Sequence, residues 1–179
     1  MSITFEERLT DILITICRSK GYLIGEIPQT EDIALVWRVL APEYMADAVP
    51  EFNQYPEVSL SWAAYVGAGV ASVWDTNWNN YSSGEGLYQL IQKPRGFDCL
   101  DEYVSEEMLG LKADEKENRD FKDLLISCAQ AALNLMKKEA AEEQSIAAFD
   151  IFAKSVEVLF LIGSSLGLEI LGYKMERQN

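Results

Sequence analysis

No histidine occurs anywhere in the chain. That absence excludes Ser-His and Cys-His nucleophile pairs, zinc sites built on imidazole, and the di-iron bundle motif that needs Glu-x-x-His. Positive charge is also scarce, with 15 Lys and Arg against 29 Asp and Glu, a net charge of −14. A chain of that sign repels nucleic acid and anionic membrane, so neither is expected as a partner. A basic protein surface, a cationic ligand or a divalent cation stays compatible with it. Cysteine is sparse: Cys17, Cys99 and Cys128 are odd in number and scattered, with no CxxC pair. A disulfide framework is not expected, which suits a reducing, cytoplasmic compartment. Cys17 and Cys128 fall on predicted apolar helix faces, where thiols behave as small hydrophobes.

Long hydrophobic runs are missing as well. Val158 to Leu168 is uncharged but short, and Glu157 and Glu169 bracket it. Val58 to Trp74 sits at the lower length limit for a membrane span, is built from Ala, Gly, Ser and Val, and is cut off by Glu57 and Asp75. A buried helix is the better reading. The opening MSITFEERLT has no basic or apolar leader region, so no signal peptide is expected. No phosphate-binding GxxxxGK[ST] occurs, and no GxGxxG follows a strand. No linker, repeat or low-complexity tract divides the 179 residues, so residues 1–179 read as a single helical domain.

What the chain does have is a neutral central segment. Pro56 opens it in a helix-start position, and the next charge after Glu57 is Asp75. On a helix over about 56–79, Trp62, Val66, Gly69 and Val73 share one face and Gly67, Val70 or Ala71, Trp74 and Trp78 another. Apolar on both faces, such a helix belongs in the middle of a packed domain. Gly67-Ala68-Gly69 then predicts the close approach of a neighbouring helix backbone, with Gly69 at the crossing.

The rest of the chain arranges around that segment. Thr4 with Glu7 forms a capping box ahead of Phe5, Leu9, Ile12, Leu13 and Ile16, and Gly21 is the stop. Tyr22 to Ile27 reads as a short extended piece. Thr30 caps a helix with Ile33, Val36, Trp37 and Leu40 inward, which Pro42 should end near Ala41; a further turn to about Ala48 is closed by Pro50. Leu87, Leu90 and Ile91 suggest a short helix ended by Pro94, and Asp98 caps another that stops at Gly110. Asp114 with Glu117 is a second capping box, opening a long helix through Phe121, Leu124, Cys128 and Leu135. A final long helix carries Ile146, Phe149, Phe152, Val156, Leu159, Phe160 and Gly163 inward and reaches about Lys174. The two stripes are nearly in phase, but one unbroken helix would be roughly 85–90 Å long. A break therefore falls in Lys137–Gln144, where Glu139, Glu142 and Glu143 interrupt the apolar pattern. The fold class is all-α: a multi-helix bundle around a buried central helix, with two long C-terminal helices.

Candidate chemistry is thin. Glu139 and Glu142 match the Glu-x-x-Glu of the all-helical nucleotide pyrophosphohydrolases, but neither Glu157 nor Glu169 has the Asp three residues on that would complete the magnesium site. Glu157 and Glu169 are twelve apart, about 120° of rotation, so each is expected at the edge of the buried stripe, reaching water. No catalytic residue, metal or cofactor is assigned. The best candidate site is the cluster Trp74, Asp75, Asn77, Trp78, Asn80 and Tyr81, where aromatic walls meet directional polar groups, with Arg95 near enough in sequence to add a charge. The same composition also suits a plain helix end, where aromatics cover the core edge and Asn residues take up free carbonyls.

Four blocks, GVASVWDTNW (69–78), RGFDCLDEYV (95–104), SCAQAALNLMKKE (127–139) and LGYKME (171–176), resemble a family of uncharacterised all-helical proteins from gut anaerobic bacteria. The resemblance implies a bacterial cytoplasmic helical domain and brings no activity with it. Two functions follow as expectations. The first is a helical binding protein whose ligand is a protein partner, with a basic surface, or a second copy of itself. The alternative is a small-molecule-binding protein or histidine-free carboxylate enzyme with its pocket at Trp74–Tyr81.

Overall fold

A computed structural model describes residues 2–139 and 145–172. Its elements are helical, with no strand among the described residues. Helix α1 (Phe5–Ser19) starts where predicted: Thr4 Oγ1 accepts the Glu7 N–H at 3.1 Å and donates to the Glu7 carboxylate at 3.1 Å. Its buried stripe is Leu9, Leu13 and Cys17, and Gly21 (φ +89°) turns the chain out of the helix. The segment after it is not extended. Leu23 takes a left-handed φ of +54° and is fully buried, its N–H held by both carboxylate oxygens of Glu169 at 3.0 Å and its carbonyl by Arg18 Nε at 2.9 Å.

Helix α2 (Glu31–Phe52) runs through both prolines that were expected to break it. Pro42 and Pro50 each remove one N–H, freeing the carbonyls of Arg38 and Ala46. All four residues are exposed, so water takes those carbonyls while the opposite stripe of Ile33, Val36, Trp37, Leu40, Tyr44 and Ala48 stays packed. Burial of that stripe outweighs two lost hydrogen bonds.

Helix α3 (Pro56–Tyr81) is the buried central helix that was expected, with Pro56 in its first turn and Leu60, Ala63 to Val73 inaccessible. Two short pieces follow, α4 (Leu87–Gln92) and α5 (Leu100–Glu102), the latter entered by a 3₁₀ turn over Phe97–Cys99 and continued by a π-helical turn, Tyr103–Met108. Helix α6 (Lys116–Lys138) begins without the expected capping box: no side chain caps it, and the Asp114 carbonyl instead accepts from Arg119 at 2.7 Å. Helix α7 (Ile146–Ile170) starts at Ser145, whose side chain accepts the Ala148 N–H at 3.0 Å. The break between α6 and α7 thus falls in the acidic stretch, although Glu142 and Glu143 lie outside the described residues, as does Lys174.

The core is the contact of α3 with α7. A Cβ on Gly163 would stand 1.9 Å from the Ala64 carbonyl oxygen, one on Gly67 2.0 Å from the Phe160 carbonyl oxygen, and one on Gly167 2.9 Å from the Ala68 Cα. The two backbones therefore touch. Ala64 meets Gly163 and Ala68 meets Gly167, so the register advances the same way on both helices and the pair is parallel. The crossing lies at Gly67, not at Gly69, whose nearest neighbours are the side chains of Ile91 and Met108. Buried serines do not mark a site here. Ser155, Ser164 and Ser165 return their hydroxyls to their own helix, at Ile151 and Leu161 carbonyls.

Candidate functional site: an apolar groove at the start of the central helix

At its C-terminal end α3 leaves helical geometry at Asn77 (φ −151°, ψ 37°). Trp74, Trp78 and Tyr81 are half-buried and lie against the core, while Asp75, Asn77 and Asn80 are exposed. Asn80 donates to the Asn77 side-chain oxygen at 2.7 Å, and Thr76 back-bonds to the Ser72 carbonyl at 2.9 Å. The aromatics thus cover the core edge, and the two amides bond to each other. Arg95 is held by the π-helical turn, with Glu106 at 3.2 Å and Glu107 at 3.4 Å. Of the sequence candidates, the fold brings Asn77 and Asn80 together and commits Arg95 to carboxylates.

A concave site lies at the other end of α3, about 33 Å away along the helix. It is a half-open groove of about 730 Å³ where the α2–α3 corner meets the end of α6 and the start of α7. Val49, Phe52, Leu133, Met136, Phe149 and Phe152 make its walls apolar, and Asn53, Lys137 and Ser145 supply polar groups. Phe52 and Phe152 meet with ring centroids 4.7 Å apart and planes tilted by 58°. Met136 is an unbranched, polarizable side chain that adapts to differently shaped ligands.

The rim of this groove overturns an expectation. Ile146 and Phe149 belong by spacing to the buried stripe of α7, yet Ile146 is 90% exposed and Phe149 51%. The stripe overruns the core by about one turn, because α3 begins only at Pro56. Tyr55 (58% exposed) and Val49 (37%) add to the same end of the molecule. Sequence reasoning missed the groove because each of its walls reads as ordinary core on its own helix.

The remaining carboxylate candidates are structural. Glu157 is exposed, as expected, but Glu169 is half-buried and engaged by Leu23. Glu139 pairs with Arg8 at 3.3 Å, and its proposed partner Glu142 lies outside the described residues. Among the described residues no group of three or more His, Cys, Asp or Glu is placed to hold a metal ion. Asp101 is half-buried beside Tyr65, and desolvation raises its carboxyl above the ordinary range. The folded state binds that proton more tightly than the unfolded chain does, so ionisation at neutral pH subtracts stability. Asp101→Asn is therefore expected to unfold at higher urea than the native chain at pH 7. The gain should shrink as pH falls through the carboxylate range; a gain independent of pH would assign it to packing instead.

Comparison with protein-family models, with curated proteins and with solved structures returns no match. Among the described residues no helix is long and apolar enough to cross a membrane.

Proposed function

We propose that the chain is a cytoplasmic helical binding protein that takes an apolar segment of a partner protein into the groove at the start of α7. The supporting observation is the exposed first turn of α7. Ile146 lies beside the groove and is not among its walls, so a small molecule seated inside would leave it in water. A macromolecular surface covers both, and large contiguous apolar exposure marks such a surface. The net charge of −14 favours a partner with basic residues around its apolar contact and speeds encounter with it. The three free thiols suit a reducing compartment.

Phe149→Asp tests the reading, because it places a charge at the rim while leaving the core untouched. Its stability is expected within about 0.5 kcal/mol of the native chain, as for other surface changes. Partner recovery by cross-linking should fall at least about tenfold, the loss expected for an aromatic anchor. Unchanged recovery moves the interface elsewhere and withdraws the groove. Sedimentation at increasing concentration separates the partners: self-association lost in Phe149→Asp makes the partner a second copy. A small amphiphile that raises the melting temperature of the native chain but not of Phe149→Asp, with no protein captured, replaces the protein ligand by a small molecule.

A further inference from the structure

Two of the three thiols meet inside the fold. Cys17 on α1 and Cys128 on α6 are both fully buried, whereas Cys99 sits half-buried in the 3₁₀ turn before α5. Helices α1 and α6 pack antiparallel: Arg8 near the start of α1 pairs with Glu139 just past the end of α6, at 3.3 Å. Tyr22, just past the end of α1, lies in the field of Asp120 and Glu117 in the first turns of α6. From the Arg8–Glu139 pair, Cys17 lies about two and a half turns along α1 and Cys128 about three turns back along α6. The register therefore brings the two cysteines level. Both side chains are fully buried between α1 and α6, and each thiol perturbs the other.

We propose that Cys17 and Cys128 form a reversible cross-link between α1 and α6, closed by a hydroperoxide in the folded state. It goes beyond the groove and does not depend on it. In the first step the Cys17 thiolate attacks the peroxide, taking one oxygen to become a sulfenic acid, while the other leaves as hydroxide and is protonated to water. In the second, the Cys128 sulfur attacks the Cys17 sulfur and the S–O bond breaks. The departing hydroxide takes the Cys128 proton and leaves as a second water. Two thiols are oxidised to one disulfide and one peroxide is reduced to two waters.

The local electrostatics agree with that order. The neighbouring Cys128 thiol holds the Cys17 thiol below its ordinary range against the opposing effect of burial, and Cys17 in turn raises Cys128, as burial does. Full burial restricts the reaction to small oxidants and to moments when α1 lifts. The link closes a loop of about 110 residues, containing α2 to α5, and a loop of that length restrains the unfolded chain strongly.

The experiment uses the full chain, treated with hydrogen peroxide, quenched, then alkylated under denaturing conditions and weighed. The expected product has one alkylatable thiol in place of three and a Cys17–Cys128 peptide that reductant removes. It should form at least about tenfold faster in buffer than in denaturing urea, because only the fold aligns the pair. The oxidised protein should also unfold at higher urea than the reduced one. Cys99→Ser should form the same product, whereas Cys17→Ala and Cys128→Ala should not. Three free thiols after peroxide, a cross-link through Cys99, sulfinic acid without a cross-link, or equal rates in buffer and urea would each overturn the proposal.

Discussion

Gly163→Ala is expected to destabilise the fold by at least about 3 kcal/mol, above the usual range for an added methyl because its neighbour is backbone. The new Cβ would fall 1.9 Å from the Ala64 carbonyl oxygen and 2.6 Å from its Cα. Main chain in the middle of a helix has no rotamer to yield, so the two central helices must part along the whole crossing. For a chain of this size that is a fall of about 6–12 °C in melting temperature. Gly67→Ala should behave alike, and the double variant should lose less than the sum, since either change already opens the crossing. Two glycines serve as controls. Gly69→Ala meets Ile91 and Met108 side-chain ends at 3.2 and 3.3 Å, which can shift, so a loss under about 1 kcal/mol is expected. Gly25→Ala meets nothing within 4 Å and should be neutral or slightly stabilising. If Gly163→Ala melts with the native chain, the backbone contact is wrong.

Glu169→Ala is expected to destabilise by about 2–3 kcal/mol, the penalty for stranding a buried donor that had a charged acceptor. Acidic residues are disfavoured near a helix C-terminus, where the dipole is negative. Glu169 nevertheless sits one residue from the end of α7, because its carboxylate receives the Leu23 N–H across the fold. The left-handed backbone of Leu23 persists only while that bond and the one from Arg18 hold it. Glu169→Gln keeps an acceptor oxygen and should recover part of the loss. Urea unfolding of the three proteins checks this. Equal losses in both variants would mean that the charge, not the acceptor, is what the turn requires.

The parts of the fold legible in the sequence were those in which a local signal and the global outcome agree. Pro56 in the first turn, the neutral run behind it, the Thr4 and Thr30 starts and the Gly21 and Gly110 turns each read alike alone or in context. Pro42 and Pro50 misled because helix breaking is a local penalty, and whether the freed carbonyl faces water is decided by packing elsewhere. Periodicity identifies a face but not which neighbour covers it, so it does not separate Gly67 from Gly69 as the crossing point. The matching Gly163 and Gly167 stand one turn apart on α7 and read by period as ordinary core. For the candidate site, the aromatics at Trp74 to Tyr81 were visible because they cluster in sequence. The groove gathers residues from four helices, and only the position where the core stops reveals that Phe149 lies beyond it.

The parallel pairing of α3 and α7 also governs how the chain folds. Ala64 and Gly163 meet across about 100 residues, and closing a loop of that length costs about 4 kcal/mol in chain entropy before any contact offsets it. Until α7 docks, α3 has no cover for the face that Gly67 presents. Folding is therefore gated by the last described helix, and α1 to α6 alone should collapse without a unique core. During synthesis the neutral stretch from Val58 to Trp74 emerges long before its partner, which makes it the natural target of a holdase.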